Sequence, residues 1–178
     1  VKLIEKFAKK HDFKLRVVKR IKDDSECDIS SSRVRDLLAN AELNDVAKLL
    51  GRKFSVSGVI EKGNMMGRKL GFPTANLCCL VPEMMPHGVY AIKALHNNEH
   101  FNGIANLGFR PTINDVKDTK PLLEVHLFDF DQDLYGQELE VLFVDFLRPE
   151  KKFSNIDALK LQINKDIIIT KNLLNEDS

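Results

Sequence analysis

The chain has 178 residues, of which 43% are hydrophobic, so it can bury one core of ordinary size, or one core plus a fragment of a second domain. Its formal net charge of +1 gives no indication of a polybasic surface, and we therefore expect neither a nucleic acid nor a membrane as a partner. Because no apolar stretch reaches the roughly 18 residues that a membrane-spanning helix needs, we predict a cytoplasmic protein.

The first fifty residues favour helices. Apolar residues recur at helical spacing in three segments, residues 3–8, 34–38 and 43–50. Residues 15–18 form a short apolar run that is typical of a strand, and Gly51 is expected to end the third helix. Since a segment of this size with a single strand buries little core, we predict that residues 1–50 are the mostly helical α/β remnant of a larger, truncated domain.

After Gly51 the pattern changes to strands and turns. Gly, Pro, Asn and Asp separate six runs that we predict to be strands, residues 54–60, 74–80, 88–95, 101–107, 122–130 and 139–146. In the fifth run Leu123, Val125 and Leu127 alternate with more polar positions, so one face should pack in the core while the other carries Glu124 and His126. Six short strands favour a mainly β fold that closes into a barrel.

Residues 154–174 return to helical spacing. We predict a C-terminal helix that packs across the barrel, with Ser154 or Asn155 as its N-cap. Its apolar stripe is expected to consist of Ile156, Leu159, Ile163, Ile167 and Leu174.

The cysteines and two histidines suggest no metal site. Cys27, Cys78 and Cys79 form no CxxC pair, so we expect free thiols, with Cys78 and Cys79 as small buried side chains. His96 and His100 are four residues apart, but the segment between them favours a hairpin turn, and we expect a solvated loop there.

Residues 63–76 have the composition of a phosphate-binding segment. They contain Gly63, Gly67 and Gly71, and loop amides beside such glycines can form an anion-binding concavity. The cations Arg68 and Lys69 lie within the same segment. Thr74 and Asn76 are two apart, so in an extended chain they point to one face as oxygen ligands that suit Mg²⁺. From composition alone, a plain hairpin turn remains the alternative.

The run Gly71-Phe72-Pro73-Thr74-Ala75-Asn76 resembles the signature of the riboflavin kinases, which phosphorylate riboflavin with ATP. Three later segments resemble the same family in the same order, residues 122–130, 133–136 and 146–151. The resemblance covers residues 51–174, and it implies a six-stranded antiparallel Greek-key barrel with a C-terminal α-helix. It also implies that riboflavin and ATP are converted to FMN and ADP.

The same resemblance implies a role for each site residue. Glu124 matches the catalytic base of the family, and Thr74 and Asn76 match its Mg²⁺ ligands. The nucleotide would contact Gly63, Gly67, Arg68, Lys69, Gly71, Phe72, Pro73, Thr74 and Asn76. The flavin would contact Asn106, Phe109, Arg110, Glu124 and Arg148. Two alternatives stay open, an ordinary solvated carboxylate at Glu124 and a non-catalytic barrel that binds flavin or nucleotide.

Residues 29–35 resemble a second family, the FMN adenylyltransferase half of bacterial bifunctional FAD synthetases. Ser31, Ser32 and Arg35 match its triphosphate-binding segment, although Ser32 replaces a threonine and a plain serine N-cap is the alternative. The His-x-Gly-His site of that family is absent from the sequence, so we expect no adenylyltransfer. We therefore divide the chain into an adenylyltransferase remnant, residues 1–50, and a riboflavin kinase domain, residues 51–178.

Overall fold

The structure is a computed structural model, which describes residues 2–63, 66–79, 83–109 and 121–176. In this part of the chain, three helices come first, α1 (Lys2–Lys10), α2 (Ser31–Ala39) and α3 (Leu43–Leu50). They are followed by β1 (Ser55–Glu61), α4 (Met66–Leu70), β2 (Ala75–Cys78), β3 (Gly88–His96), β4 (Glu99–Phe109), β5 (Pro121–Leu127), β6 (Glu138–Pro149) and α5 (Ile156–Glu176).

The six strands form a closed barrel in the order β1-β2-β5-β4-β3-β6, and every neighbouring pair is antiparallel. Strand β5 lies between β2 and β4, so the chain crosses over between hairpins as in a Greek key. Each of the six predicted strands overlaps an observed one, and the predicted antiparallel barrel with its C-terminal helix is confirmed.

The side chains of β5 alternate between the barrel core and the outer face, as predicted. Leu123, Val125 and Leu127 are buried in the barrel core, whereas Glu124 and His126 are only partly buried on the other face. The β3–β4 hairpin turns at Asn97 and Asn98, whose φ angles of 49° and 65° are those of a type I′ turn.

The expectation of a solvated loop at His96 is wrong. The residue is 7% exposed, and its Nδ1 lies 3.0 Å from the backbone carbonyl oxygen of Glu138. His96 is the last residue of β3 rather than a turn residue, so its ring is covered by the neighbouring strand β6.

Helices α2 and α3 share a core with the barrel. Leu38, Leu43 and Val46 belong to the same buried cluster as the barrel residues Ile60 and Leu139. Gly51 follows α3 with a left-handed φ of 69°, which confirms that it ends this helix. The predicted strand at residues 15–18 is wrong, since these residues are exposed and pair with no strand in the described part of the chain.

This shared core leads to a stability prediction. Leu43→Ala should lower the free energy of unfolding by about 2–5 kcal/mol, because Leu43 is 4% exposed and its truncation leaves a cavity between α3 and the barrel. Leu50→Ala is the matched control in the same helix, and at 38% exposure it should cost about 1 kcal/mol or less. Urea unfolding followed by circular dichroism measures both variants. If Leu43→Ala lowers the free energy of unfolding no more than Leu50→Ala does, α3 is not part of the barrel core.

Helix α5 packs against the barrel with most of its predicted stripe. Asn155 is the N-cap, because its Oδ1 accepts a hydrogen bond of 2.8 Å from the backbone N–H of Ala158. Ile163 and Ile167 pack against barrel residues, and Leu174 is fully buried. Ile156 was predicted in the stripe but is 60% exposed in the first turn. In the described residues, no helix combines the length and apolarity needed to cross a membrane.

The three cysteines are free thiols, as predicted, but they are not equally buried. Cys78 is exposed, so its expected burial is wrong, whereas Cys79, which follows the last residue of β2, is half-buried. Burial raises the pKa of the Cys79 thiol to about 11, with a smaller contribution from Cys78.

Candidate active site

A row of side chains crosses five neighbouring strands on the outer face of the barrel. The strand register aligns Asn76 with Glu124, Glu124 with Asn106, Asn106 with Val89, and Val89 with Arg148. Because directly paired residues of antiparallel strands point to the same face, these five side chains form one continuous line. The register therefore places the predicted flavin-binding residue Asn106 beside the predicted base Glu124, and it places Arg148 in the same row, three strands away from Glu124.

A cavity lies along this row, between the barrel and α5. Its volume is about 630 Å³, within the usual range for small-molecule sites. The row contributes Val89, Asn106, Glu124 and Arg148, and α5 contributes Leu159, Ile163 and Asp166. The remaining lining residues are Gly67, Leu70, Phe72, Thr74, Ile104, Ala105, His126, Glu150, Lys151, Lys152 and Phe153. An apolar cavity with a few converging polar groups suits a ring system that carries polar substituents.

Arg148 is held at the cavity wall by α5. Its Nε donates to both carboxylate oxygens of Asp166 at 3.1 and 3.0 Å, and its Nη2 donates to Oδ2 at 2.8 Å. Gln162 donates a further hydrogen bond of 2.8 Å to Asp166 Oδ1. The side chains of Arg148 and Asp166 are 18% and 2% exposed, so the pair is largely removed from water. Its charges compensate each other, which suits a neutral ligand better than a phosphate.

The glycine-rich segment packs directly against the two predicted metal ligands. A Cβ at Gly67 would lie 2.4 Å from the Phe72 carbonyl oxygen and 2.9 Å from Thr74 Oγ1. At Gly63 it would lie 1.9 Å from Asn76 Nδ2. Only glycine permits such a close approach of backbone to side chain, so Gly67 and Gly63 allow the segment to pack against Thr74 and Asn76.

A second cavity of about 360 Å³ lies on the other side of Thr74. Arg68, Pro73 and Ala75 line it from the glycine-rich side, and Phe130, Leu134 and Tyr135 line it from the segment between β5 and β6. The other lining residues are Ile60, Thr74, Val125, Leu127, Asp131, Gln132 and Asp133. Thr74 borders both cavities, so the two sites meet at its side chain.

The two predicted metal ligands are oxygen donors of the kind that a hard divalent cation accepts. Thr74 offers a hydroxyl where the two cavities meet, and Asn76 offers an amide oxygen. Asn76 is 8% exposed against Gly63 and lines neither cavity. Within residues 2–63, 66–79, 83–109 and 121–176, no three His, Cys, Asp or Glu side chains are grouped to hold a metal. A cation here would therefore be bound by few protein oxygens together with phosphate oxygens, which is the usual way in which proteins bind Mg²⁺.

Several predicted site residues lie elsewhere or outside the described residues. Arg68 is exposed beside the second cavity, and Gly71 is exposed just after α4. Phe109 ends β4 and Lys69 belongs to α4, but their side chains, like all of Arg110, lie outside the described residues.

The predicted adenylyltransferase residues do not reach the barrel site. Ser31, Ser32 and Arg35 lie in α2 and line neither of the two cavities that meet at Thr74. Ser30 is the N-cap of this helix, since its Oγ accepts a hydrogen bond of 3.3 Å from the backbone N–H of Arg33.

Sequence reasoning missed the contribution of α5 to the site. Asp166 and Gln162 of this helix were not predicted, although Asp166 binds Arg148 and Gln162 donates a hydrogen bond to Asp166. Phe153, which precedes the helix and lies against the Arg148 guanidinium, was not predicted either. A signal was present, because Gln162 and Asp166 are polar residues next to the apolar stripe that includes Ile163 and Ile167. Which strand they would face depends on how the helix docks, and helical spacing does not reveal that.

A closed barrel with one cavity along α5, a second cavity beside a glycine-rich segment and a carboxylate near their junction offers the arrangement that a small-molecule phosphotransferase needs. The comparison with protein families agrees, because residues 50–174 match the model described as "Flavokinase: Riboflavin kinase". The chain therefore belongs to the riboflavin kinase family, whose members are enzymes that use ATP with a divalent metal ion.

Individual relatives agree with this assignment. The chain is 48% identical over 149 residues to a bifunctional riboflavin kinase/FMN adenylyltransferase of Haemophilus influenzae, covering 83% of this chain and 47% of that protein. A protein of the same name from Buchnera aphidicola subsp. Schizaphis graminum is 38% identical, covering 98% and 56%. The chain thus spans about half the length of the curated relatives it matches.

One solved structure is also similar over most of the chain. It is described as a macrolide-efflux protein from Streptococcus pneumoniae and is 31% identical, with a TM-score of 0.77. The similarity covers 94% of this chain and 54% of that one.

Proposed function

We propose that this chain transfers the γ-phosphate of ATP to the 5′-hydroxyl of the ribityl chain of riboflavin, giving FMN and ADP. The observation that carries this proposal is the junction at Thr74. Two cavities meet at this residue, and Glu124 lines the larger one. Phosphoryl transfer needs this arrangement, because two substrates must be aligned with a proton acceptor and little covalent chemistry is asked of the protein.

Riboflavin would occupy the larger cavity. Its isoalloxazine ring is planar, uncharged and polar at one edge, which suits the apolar wall formed by Val89 and Ile163. Asn106 and Arg148, whose charge is balanced by Asp166, would supply hydrogen bonds to the ring. The ribityl hydroxyl would then lie towards Glu124, whose carboxylate accepts the proton that leaves as the phosphate bond forms.

The nucleotide would occupy the second cavity, with its phosphates towards the glycine-rich segment. Arg68 lies at the edge of this cavity, and Tyr135 and Phe130 offer apolar surface to the base. Thr74 and Asn76 would hold Mg²⁺, which when bound neutralises charge on the phosphates. The chain's own part is to hold the two substrates on either side of Thr74.

The direct test is product formation. Incubation of the chain with riboflavin and Mg·ATP should yield FMN and ADP in equal amounts, measured by chromatography, and EDTA should abolish both products. Absence of FMN from a folded sample would contradict the proposal. Calorimetric binding of riboflavin and ATP without any product would instead indicate the non-catalytic binding module.

We further propose that residues 1–50 belong to an adenylyltransferase domain, whose helices α2 and α3 pack on the barrel, and that residues 51–178 form the kinase domain. Relatives named for both activities support this division. Ile4, Phe7, Val18 and Ile21 are at least half exposed, as expected for residues that face further protein in a longer chain. Because the sequence contains no His-x-Gly-His segment, incubation with FMN and ATP should give no FAD.

The free thiols of Cys27, Cys78 and Cys79 support a location in the reducing cytoplasm.

A further inference from the structure

We infer that His126 is a positioning residue of the phosphoryl-transfer site, and that it fixes Thr74 relative to Glu124 through the backbone of Pro73. The inference rests on the proposed kinase function, since Thr74 and Glu124 act there on the same reaction. His126 is not placed in contact with the reacting atoms, so its role is distinct from that of the proton acceptor.

The contact that carries the inference is a hydrogen bond of 2.7 Å between His126 Nδ1 and the carbonyl oxygen of Pro73. The ladder between β2 and β5 ends at the pair Ala75–Val125, and Pro73 and Thr74 precede the first residue of β2. The imidazole therefore attaches the chain to β5 just beyond the last strand pair. Thr74 lies between this attachment and the ladder, so it is held from both sides.

The orientation of the imidazole ring is itself fixed by aromatic neighbours. Phe72 meets the ring edge-on, with 6.0 Å between centroids and an angle of 88°. Phe128 meets it at 5.9 Å and 66°, and Phe128 packs in turn against Ile163 and Ile167 of α5. A ring held in this way keeps Nδ1 directed at Pro73.

The hydrogen bond also determines the tautomer. A carbonyl oxygen only accepts, so Nδ1 must carry the proton whether the imidazole is neutral or charged. The nitrogen that binds Pro73 is therefore not a proton acceptor in either state. An amide N–H at the position of Nδ1 should therefore replace His126 as donor to Pro73. If His126 acted instead as a proton acceptor, an amide would not replace it.

A small displacement of Thr74 would affect both cavities. Gly67 already packs against Thr74 Oγ1, and Glu124 lies two residues from His126 on the same face of β5. One strand thus supplies the proton acceptor and the support for Thr74. Misplacement by about 1 Å at such a site can cost about 10²-fold in rate.

The experiment compares three substitutions at one position. His126→Phe keeps an aromatic ring but removes the donor, His126→Asn places an amide N–H near the Nδ1 position, and His126→Gln places it near Nε2 instead. For each we would measure kcat, the KM of Mg·ATP, the calorimetric Kd of Mg·ADP and of riboflavin, and the melting temperature.

We expect His126→Phe and His126→Gln to lower kcat by about 10–100-fold and to weaken Mg·ADP binding by about tenfold, as for other residues that orient ligands of a metal. His126→Asn should restore both values to within about threefold of the original protein. Because His126 also lines the larger cavity, the riboflavin Kd of each variant reports separately any change to that cavity. Equal impairment of the Asn and Phe variants would overturn the inference, as would normal kcat in the Phe variant.

The result separates this inference from the proposed function. If the unaltered chain makes no FMN, the proposed function fails. The Mg·ADP dissociation constants still test the positioning role, because they need no turnover. If His126→Phe does not fold, the contrast between the Asn and Gln variants decides the question.

Discussion

Glu124→Gln is expected to lower turnover of riboflavin to FMN by about 10²–10⁴-fold, the usual contribution of general acid–base catalysis. The amide keeps the size of the carboxylate and one acceptor oxygen, but it does not accept the proton of the ribityl hydroxyl. Glu124 lies between Asn76 and Asn106 in the cross-strand row, so the substitution should leave the cavity intact. The Kd of riboflavin should stay within about threefold, because the interaction lost belongs to the transition state.

Single-turnover kinetics and calorimetry on the same samples separate the two effects. Glu140→Gln is the matched control, because Glu140 lies in strand β6 and lines none of the cavities described above. It should keep turnover within about twofold, as surface substitutions generally do. Turnover near the original value in Glu124→Gln would assign the proton acceptor to another group.

The sequence predicted the barrel because local patterns determine strands. Period-two alternation at Leu123, Val125 and Leu127 fixed which face of β5 would be buried, and the structure agrees. Glycine, proline and asparagine marked the turns between strands. The run at residues 15–18 satisfied the same local rule but found no partner strand in the described part of the chain. A strand needs a neighbour, and periodicity does not supply one.

The site could be predicted only where its residues are close in sequence. Thr74 and Asn76 were identified from one segment, and their spacing implied a shared face. The alignment of Asn106 and Arg148 with Glu124 depends on strand register, which arises from long-range pairing. The contact between Arg148 and Asp166 depends further on the docking of α5 against the barrel. The strand register and the Arg148–Asp166 contact both join distant parts of the chain, so no local sequence pattern could predict them.

Removal of Asp166 should have the largest effect on stability. Asp166→Ala is expected to lower the free energy of unfolding by about 3–5 kcal/mol, because it leaves the guanidinium of Arg148 in a mostly dry position without its carboxylate. Asp28→Ala is the matched control, since Asp28 and Arg20 are also 2.8 Å apart but their side chains are 40% and 78% exposed. That pair should contribute about 0–1 kcal/mol. Urea unfolding of both variants measures the difference.

A double substitution separates the buried charge from the loss of packing. Asp166→Leu combined with Arg148→Met should recover most of the stability that Asp166→Ala loses, because neither charge then remains buried alone. The double variant should nevertheless bind riboflavin more weakly, because Arg148 lines the larger cavity. A loss in Asp166→Ala no greater than that in Asp28→Ala would mean that water reaches Arg148 and screens its charge. In that case the ion pair would orient the guanidinium towards the ligand without stabilising the fold.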